Sequence, residues 1–506
     1  MRNLLEHFEK TVETKSHEIA IVDYNDSSRS EISFRELNNK SDNLSNLLTE
    51  LVNKCNRPIA VLLPKSINAI ISNLAISKSG NIYMNLDIKT PAERIKNIIN
   101  QIQPELVITS NSYLDLISGY DDLKILDIDN VDFSNSKFRS NNIWENLIDT
   151  DPYCIINTSG STGTPKGVVL NHRSFIDFVN QSNEVFSLGE NPIIGSLSPL
   201  IFDIYSFELC LLMSKGSKIV ILPDKFSGFP LKLLEILNSE EVSFIFWVPT
   251  IMVNIANMDL LKHIDLPALK LVWFAGEVFP TKQFNYWYNK LTNTVFANLY
   301  GPIEITLDCT YFIIDKKFQD SEPLPIGKRY HNTDILILNS EDQLCNIDEE
   351  GELCVRGSSL AMGYYNNLEK TNEVFVQNPL NKSYPEIIYR TGDIVKENIK
   401  NEIVFLGRKD TLVKHLGYRI ELSEIEHVIV NVSKIVKNCC VIYNFENREI
   451  VLFYENSTEL KTSEIKSELS NYLPKYMLPS KFYFYDELPR NLNGKIDRLQ
   501  LKNLQY

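Results

Sequence analysis

From Asn157 the chain reads NTSGSTGTPKGVV, a run of hydroxyls and glycines around one lysine, directly after the apolar YCII. Backbone N–H groups and hydroxyls crowded in this way converge on anionic oxygens, and the glycines permit positive φ and close approach. The run is not a Walker A loop, because Lys166 is followed by Gly167 instead of Ser or Thr. Nor is it a G-x-G-x-x-G loop, since its glycines fall at 160, 163 and 167. A flexible surface linker does not fit either, because Pro165-Lys166-Gly167-Val168 runs straight into an apolar strand. The chemistry indicated is phosphate binding.

Other polar residues are ambiguous when taken singly. Asp203 opens DIYSFE, where it fits a helix N-cap. Asp393 in TGD and Lys495 in NLNGK each pass for turn residues.

The elements that must position these residues follow from hydrophobic spacing. Between about 217 and 300, the runs KIVIL, VSFIFWV, KLVWFAG and TVFANLYG are strand-like, while PLKLLEILNSEE and TKQFNYWYNKLT have helical spacing. That alternation predicts a parallel sheet covered by helices on both faces. Such sheets bind ligands at the carboxyl ends of their strands, which is where FAGE and NLYGPIE fall. From about 325 to 408, turn signals separate short strands such as GELCVRG, predicting an antiparallel sheet or small barrel. After FLGRKD the texture becomes a compact α+β mix. The expected fold class is therefore α/β. With the family resemblance given below, this implies that residues 1–409 form a large domain of two parallel-type α/β subdomains plus a small β-barrel-like one, and residues 410–506 a small mobile α+β domain.

With 506 residues the chain is too long for one core. Its 51 basic against 65 acidic residues, a net charge of -14, argue against a broad nucleic-acid or anionic-membrane surface. Cys55, Cys154, Cys210, Cys309, Cys345, Cys354, Cys439 and Cys440 are scattered without a C-x-x-C pair, as expected of reduced core thiols in a cytosolic protein. The start, MRNLLEHFEKTVE, lacks a signal-peptide core, and no run reaches the roughly 18 to 20 apolar residues of a membrane span. The expectation is a cytoplasmic protein.

TSGSTGTPKG resembles the signature loop of the adenylate-forming superfamily, which includes acyl-CoA ligases, luciferases and the adenylation domains of non-ribosomal peptide synthetases. Further resemblances arrive in family order: ISFREL, IYMNLDIKTPAERI, FDIYSFE, NLYGPIE, GELCVRGSSLAMGYYN, YRTGD, GRKDTLVKHLGYRIELSEIE and LPRNLNGKIDR. They cover nearly the whole chain, and the chain resembles an amino-acid adenylation domain in particular.

The resemblance implies a reaction: a carboxylate and ATP give an acyl-adenylate and pyrophosphate, followed by transfer to a thiol. By resemblance, Thr158, Ser159, Gly160, Ser161, Thr162 and Gly163 would hold the phosphates with Lys166, and Glu304 would bind Mg²⁺. Gly276, Glu277, Asn298 and Tyr300 would frame the adenine, Asp393 would take the ribose hydroxyls, and Arg408 would lie close by. Lys495 would reach from the small domain to the reacting carboxylate. Asp410 would be the hinge about which that domain turns. In the second pose Lys495 leaves, KHLGYRI faces the site, and Gly417 lets a pantetheine arm pass.

Asp203 would pair with the substrate's α-ammonium, which acyl- and aryl-acid ligases have no reason to match. The pocket wall would be Ile204, Phe207, Phe246, Trp273, Ala275, Leu299, Leu307 and Asp308. Its bulk leaves little room, and Asp308 needs a donor, so serine is favoured, with alanine and glycine behind it. FAGEVFP also resembles D-alanine-activating ligases. Two positions depart from the family pattern: Ile303 stands where a threonine is usual, and Leu416 where arginine is common. The missing hydroxyl would have to come from Thr306 or a backbone amide. The chain contains no Gly-Gly-x-Ser, H-H-x-x-x-D-G or G-x-S-x-G motif. The expectation is a free-standing enzyme that loads the phosphopantetheine of a discrete carrier protein. The alternatives are an acyl- or aryl-acid CoA ligase and a catalytically impaired nucleotide-binding protein.

Overall fold

In the computed structural model, the described residues are 2–24, 28–120, 123–133, 143–158, 165–409, 412–490 and 496–504. Two large sheets dominate. The first has nine strands, of which six run parallel: Val295–Tyr300, Leu271–Phe274, Phe244–Trp247, Ile193–Ser196, Lys218–Ile221 and Ile19–Asp23. Most of their residues are buried, as in a sheet covered on both faces, and this explains why they read as continuous apolar runs. Pro230–Ser239 and Thr281–Lys290 are the helices expected between them. The flanking strands are antiparallel (Thr310–Ile314 with Lys328–Arg329 beyond it on one side, Ser30–Ser33 on the other), so the sheet is mixed.

The second sheet has seven strands, in the order Gly363–Tyr364, Lys166–Asn171, Pro152–Thr158, Ile82–Leu86, Pro58–Leu62, Leu106–Thr109, Ile125–Asp127. The last five run parallel. Pro152–Thr158 and Lys166–Asn171 form an antiparallel hairpin, with Thr158 opposite Lys166. One hydrophobic core spans both sheets, from Ile59 and Tyr153 to Phe246 and Trp273.

Residues 333–408 build a five-stranded antiparallel sheet around the long strand Ile387–Glu397. Beyond it, a two-stranded hairpin, Leu412–His415 with Tyr418–Glu421, leads into a three-stranded sheet, Asn438–Asn444, Glu449–Glu455 and Lys481–Tyr485. The helices Leu422–His427 and Thr462–Leu469 accompany that sheet and share its own core. We call this part the lid. The helix Leu422–His427 changes at Val428 to a π-helical turn, Val428–Val432.

All eight cysteines are unbridged. The expectation that they are core thiols needs correction at two of them: Cys55 is exposed and Cys345 half-buried. Among the described residues no helix is long and apolar enough to cross a membrane.

Candidate active site

The phosphate-loop candidates Ser159, Gly160, Ser161, Thr162 and Gly163 lie outside the described residues, as do the hinge candidate Asp410 and Lys495. Thr158 and Lys166 frame that loop from the ends of its hairpin, and the Thr158 hydroxyl donates to the Lys166 carbonyl at 3.4 Å. Next to Lys166, strand Gly363–Tyr364 pairs with Val168 and Val169, and this sets the Tyr364 ring 5.1 Å from Lys166 Nζ. Burial, helped by the charge of Arg419, lowers the Lys166 ammonium pKa.

Glu304 is fully buried. Its Oε1 accepts from the Tyr364 hydroxyl at 2.7 Å, and its Oε2 accepts from Arg419 Nη1 of the lid at 2.6 Å. Burial pushes its carboxyl pKa up, but Arg419 and the Tyr364 hydrogen bond outweigh that and hold it below the usual range. No group of three His, Cys, Asp or Glu gathers among the described residues. A hard carboxylate such as Glu304 suits Mg²⁺, which takes one or two carboxylates and leaves its other positions to water and substrate phosphates.

At the end of strand Val295–Tyr300, the Tyr300 hydroxyl donates to Asp393 Oδ2. Arg408, opposite Asp393 in the next strand, donates to the other oxygen. Tyr300, Asp393 and Arg408 are thus one bonded group, and Lys414 Nζ of the lid stands 5.7 Å over the Tyr300 ring. Asn298 turns its amide away, donating to the Pro325 carbonyl at 2.8 Å. Gly276 has φ +91°, and the neighbouring Glu277 accepts from the Thr250 amide at 3.1 Å and from the Gly417 amide of the lid at 2.7 Å.

Asp203 is the first residue of helix Asp203–Lys215; the N-cap is Phe202, so the capping alternative is not realised. The Asp203 carboxylate instead accepts from the amides of Ile204 at 3.0 Å and Leu307 at 3.2 Å. Burial pushes its pKa up to about 6, against those two hydrogen bonds. The Leu307 amide is presented by a left-handed turn, with φ 55° at Thr306 and 67° at Leu307. Gly301 makes that turn possible, because a Cβ there would lie 2.0 Å from the Leu307 carbonyl oxygen.

Ile204, Phe207, Phe246, Trp273, Ala275, Leu299 and Leu307 all belong to one core cluster. Trp273 is enclosed by rings: Phe186 at 4.7 Å, Phe244 at 5.0 Å, Phe246 at 5.5 Å and a stacked Phe207 at 5.6 Å. Asp308 is 3% exposed, and its Oδ2 has no partner among the described residues. Burial and the neighbouring Asp203 push its carboxyl pKa far up, with Lys414 opposing them. Trp273 Nε1 and Thr306 Oγ1 are also buried without partners among the described residues.

The two halves are joined by one short stretch. Between Gly301 and Asp308 the chain bonds Tyr364 and Arg419 through Glu304 and bonds Asp203 through the Leu307 amide. The sequence reading named Gly417 in the lid hairpin but missed Arg419, Lys414 and Tyr364. All three stand inside stretches that carried the resemblance, and only the pairing across the fold gives them partners. Gly417 has φ +83°, and a Cβ there would lie 2.9 Å from Val248 Cγ1. Beside the hairpin, a cavity of about 340 Å³ is lined by Lys65, Asp87, Leu200, Ile201 and Tyr418 among others. A wider concavity of about 960 Å³ runs along Glu341–Gln343 and Gln377–Pro385 and holds none of these residues; bonded partners, not size, locate the chemistry.

Comparison with known proteins gives the family and the fold. A family model described as AMP-binding enzyme matches residues 8–365, and one described as AMP-binding enzyme C-terminal domain matches residues 424–495. Tyrocidine synthase 1 of Brevibacillus parabrevis is 31% identical over 503 residues; the match covers 98% of this chain but 44% of that protein. Among solved structures, o-succinylbenzoate CoA synthetase (MenE) from Bacillus subtilis superposes with a TM-score of 0.84 at 19% identity, covering 100% of this chain and 99% of the other. The Vibrio cholerae adenylation domain AlmE, in complex with glycyl-adenosine-5'-phosphate, gives 0.81 at 21% identity, covering 99% and 97%. At such identities the likeness is one of fold.

Proposed function

This chain belongs to the AMP-binding enzyme family and is an adenylate-forming ligase, and from that premise we propose that it activates a small amino acid. The product would be an aminoacyl-adenylate, passed on to the phosphopantetheine thiol of a separate carrier protein. The observation that carries the reading is the stretch Gly301–Asp308, which ties the phosphate side at Glu304 to the Asp203 carboxylate.

In this reading Asp203 binds the α-ammonium, since among the described residues its half-buried carboxylate is hydrogen-bonded by backbone amides and by no cation. The substrate carboxylate then lies toward Glu304 and Lys166. Lys166, together with the hairpin loop, neutralises the phosphates, and Asp393, oriented by Tyr300 and Arg408, accepts the ribose hydroxyls. Glu304 would hold Mg²⁺, whose role is to offset charge on the phosphate oxygens. Lys495 would bring the cation to the α-phosphate. Ile303 offers no hydroxyl there, and the unpartnered Thr306 Oγ1 is the donor at hand. In the pocket, Trp273 and its ring neighbours leave room for a short side chain, and the orphaned Asp308 Oδ2 favours one that donates, as serine does.

Incubation with ATP, Mg²⁺ and each amino acid in turn tests this. Pyrophosphate exchange should depend on serine, alanine or glycine. Exchange driven only by acids without an amine would replace the reading with a CoA-ligase one, and silence across a broad panel of acids would leave a nucleotide-binding protein.

A further inference from the structure

Two buried charges that the site does not use face each other across the lid boundary. Arg94, on helix Ala92–Ile102, is 7% exposed, and Glu424, on the lid helix Leu422–His427, is fully buried. Arg94 Nη1 donates to Glu424 Oε1, while Glu424 Oε2 has no other partner among the described residues. A buried ion pair is tolerable only while both members are present, so each charge depends on the other. The pair does not stand alone. Tyr476 of the lid lies within the field of Arg94 and stacks on Tyr418, with ring centres 3.6 Å apart; Tyr418 in turn meets Phe202 at 5.2 Å. Tyr418 and Arg419 open the strand that runs directly into the helix bearing Glu424. Fixing Glu424 therefore fixes the exit of the hairpin that brings Arg419 to Glu304 and Gly417 to Glu277.

We propose that Arg94 and Glu424 are a positioning pair that holds the lid hairpin in the site for thiol transfer and takes no part in forming the adenylate. The proposal rests on the function proposed above, since only a two-step enzyme gives the lid two poses to choose between. On that reading, a lid pose that presents Lys495 in place of the hairpin would part Glu424 from Arg94. The pair thus weights one pose and not the other, as any contact exclusive to one of two states must.

The test uses the full-length protein with Arg94→Met, Glu424→Gln, Arg94→Lys and the reversed pair Arg94→Glu/Glu424→Arg. Three quantities are measured: amino-acid-dependent pyrophosphate exchange, aminoacyl-thioester formation on free pantetheine, and backbone hydrogen exchange in Leu412–His415 and Tyr418–Glu421. In Arg94→Met and Glu424→Gln, pyrophosphate exchange should stay within about twofold of the parent. Thioester formation should fall about tenfold or more, and hairpin hydrogen exchange should rise. Arg94→Lys and the reversed pair should recover thioester formation, wholly or in part. Unchanged thioester formation and unchanged hydrogen exchange in both single variants would overturn the proposal. So would a parallel loss of both activities in every variant, Arg94→Lys included, since that marks a merely structural role. A parent protein inactive with every amino acid would overturn the proposed function instead, and hairpin hydrogen exchange would then decide the pair by itself.

Discussion

Asp203 sits where a helix begins, yet its carboxylate accepts from the Leu307 amide, far along the chain. With burial pushing its pKa up to about 6, it is ionised at pH 7 and takes up a proton below pH 6. The charge that would hold an ammonium is then lost. For the parent protein, kcat/KM for the amino acid should fall about tenfold per pH unit below 6, while KM for ATP stays flat. Asp203→Asn should cost about a hundredfold in amino-acid kcat/KM at pH 7 and abolish that acid limb. Equal effects on ATP and amino acid would mean that the carboxylate only shapes the turn. The sequence showed Asp203 but left two roles open, because DIYSFE is a good local match to a capped helix. What separates the roles is an amide at position 307, far along the chain, and no local pattern carries it. Tyr364 and Arg419 were hidden for the same reason: their meaning lies in Glu304.

The elements were far more legible. Four runs between 217 and 300 gave parallel strands in the expected places, because a strand buried on both faces leaves an unbroken apolar signature. The antiparallel edges of the same sheet were not separable from its centre, since edge position depends on neighbours and not on composition. The turn after NLYG was legible as a motif but not as geometry. Its left-handed pair at Thr306 and Leu307 presses a carbonyl against Gly301. Gly301→Ala should therefore destabilise the protein by about 1–3 kcal/mol in urea unfolding. It should also depress pyrophosphate exchange, because the displaced turn carries both Glu304 and the Leu307 amide. A stable variant with normal exchange would show that the turn can yield without loss.

Across the whole molecule, the lid hairpin contributes Lys414, Gly417 and Arg419 to a site built otherwise by the large domain. Both oxygens of Glu304 are engaged, one by Tyr364 and one by Arg419. On the proposed function, a divalent ion at Glu304 Oε2 would compete with the Arg419 guanidinium, since the two cations repel at one oxygen. Arg419→Gln should accordingly tighten Mn²⁺ binding, read by electron paramagnetic resonance with ATP present, by about tenfold, the worth of one charged hydrogen bond. Glu304→Gln should abolish it. Unaltered Mn²⁺ affinity in Arg419→Gln would mean that metal and guanidinium do not compete.

On the proposed function, that shared corner would set two occupants of one carboxylate against each other, so that seating the hairpin guanidinium would loosen the hold on a metal-bound nucleotide.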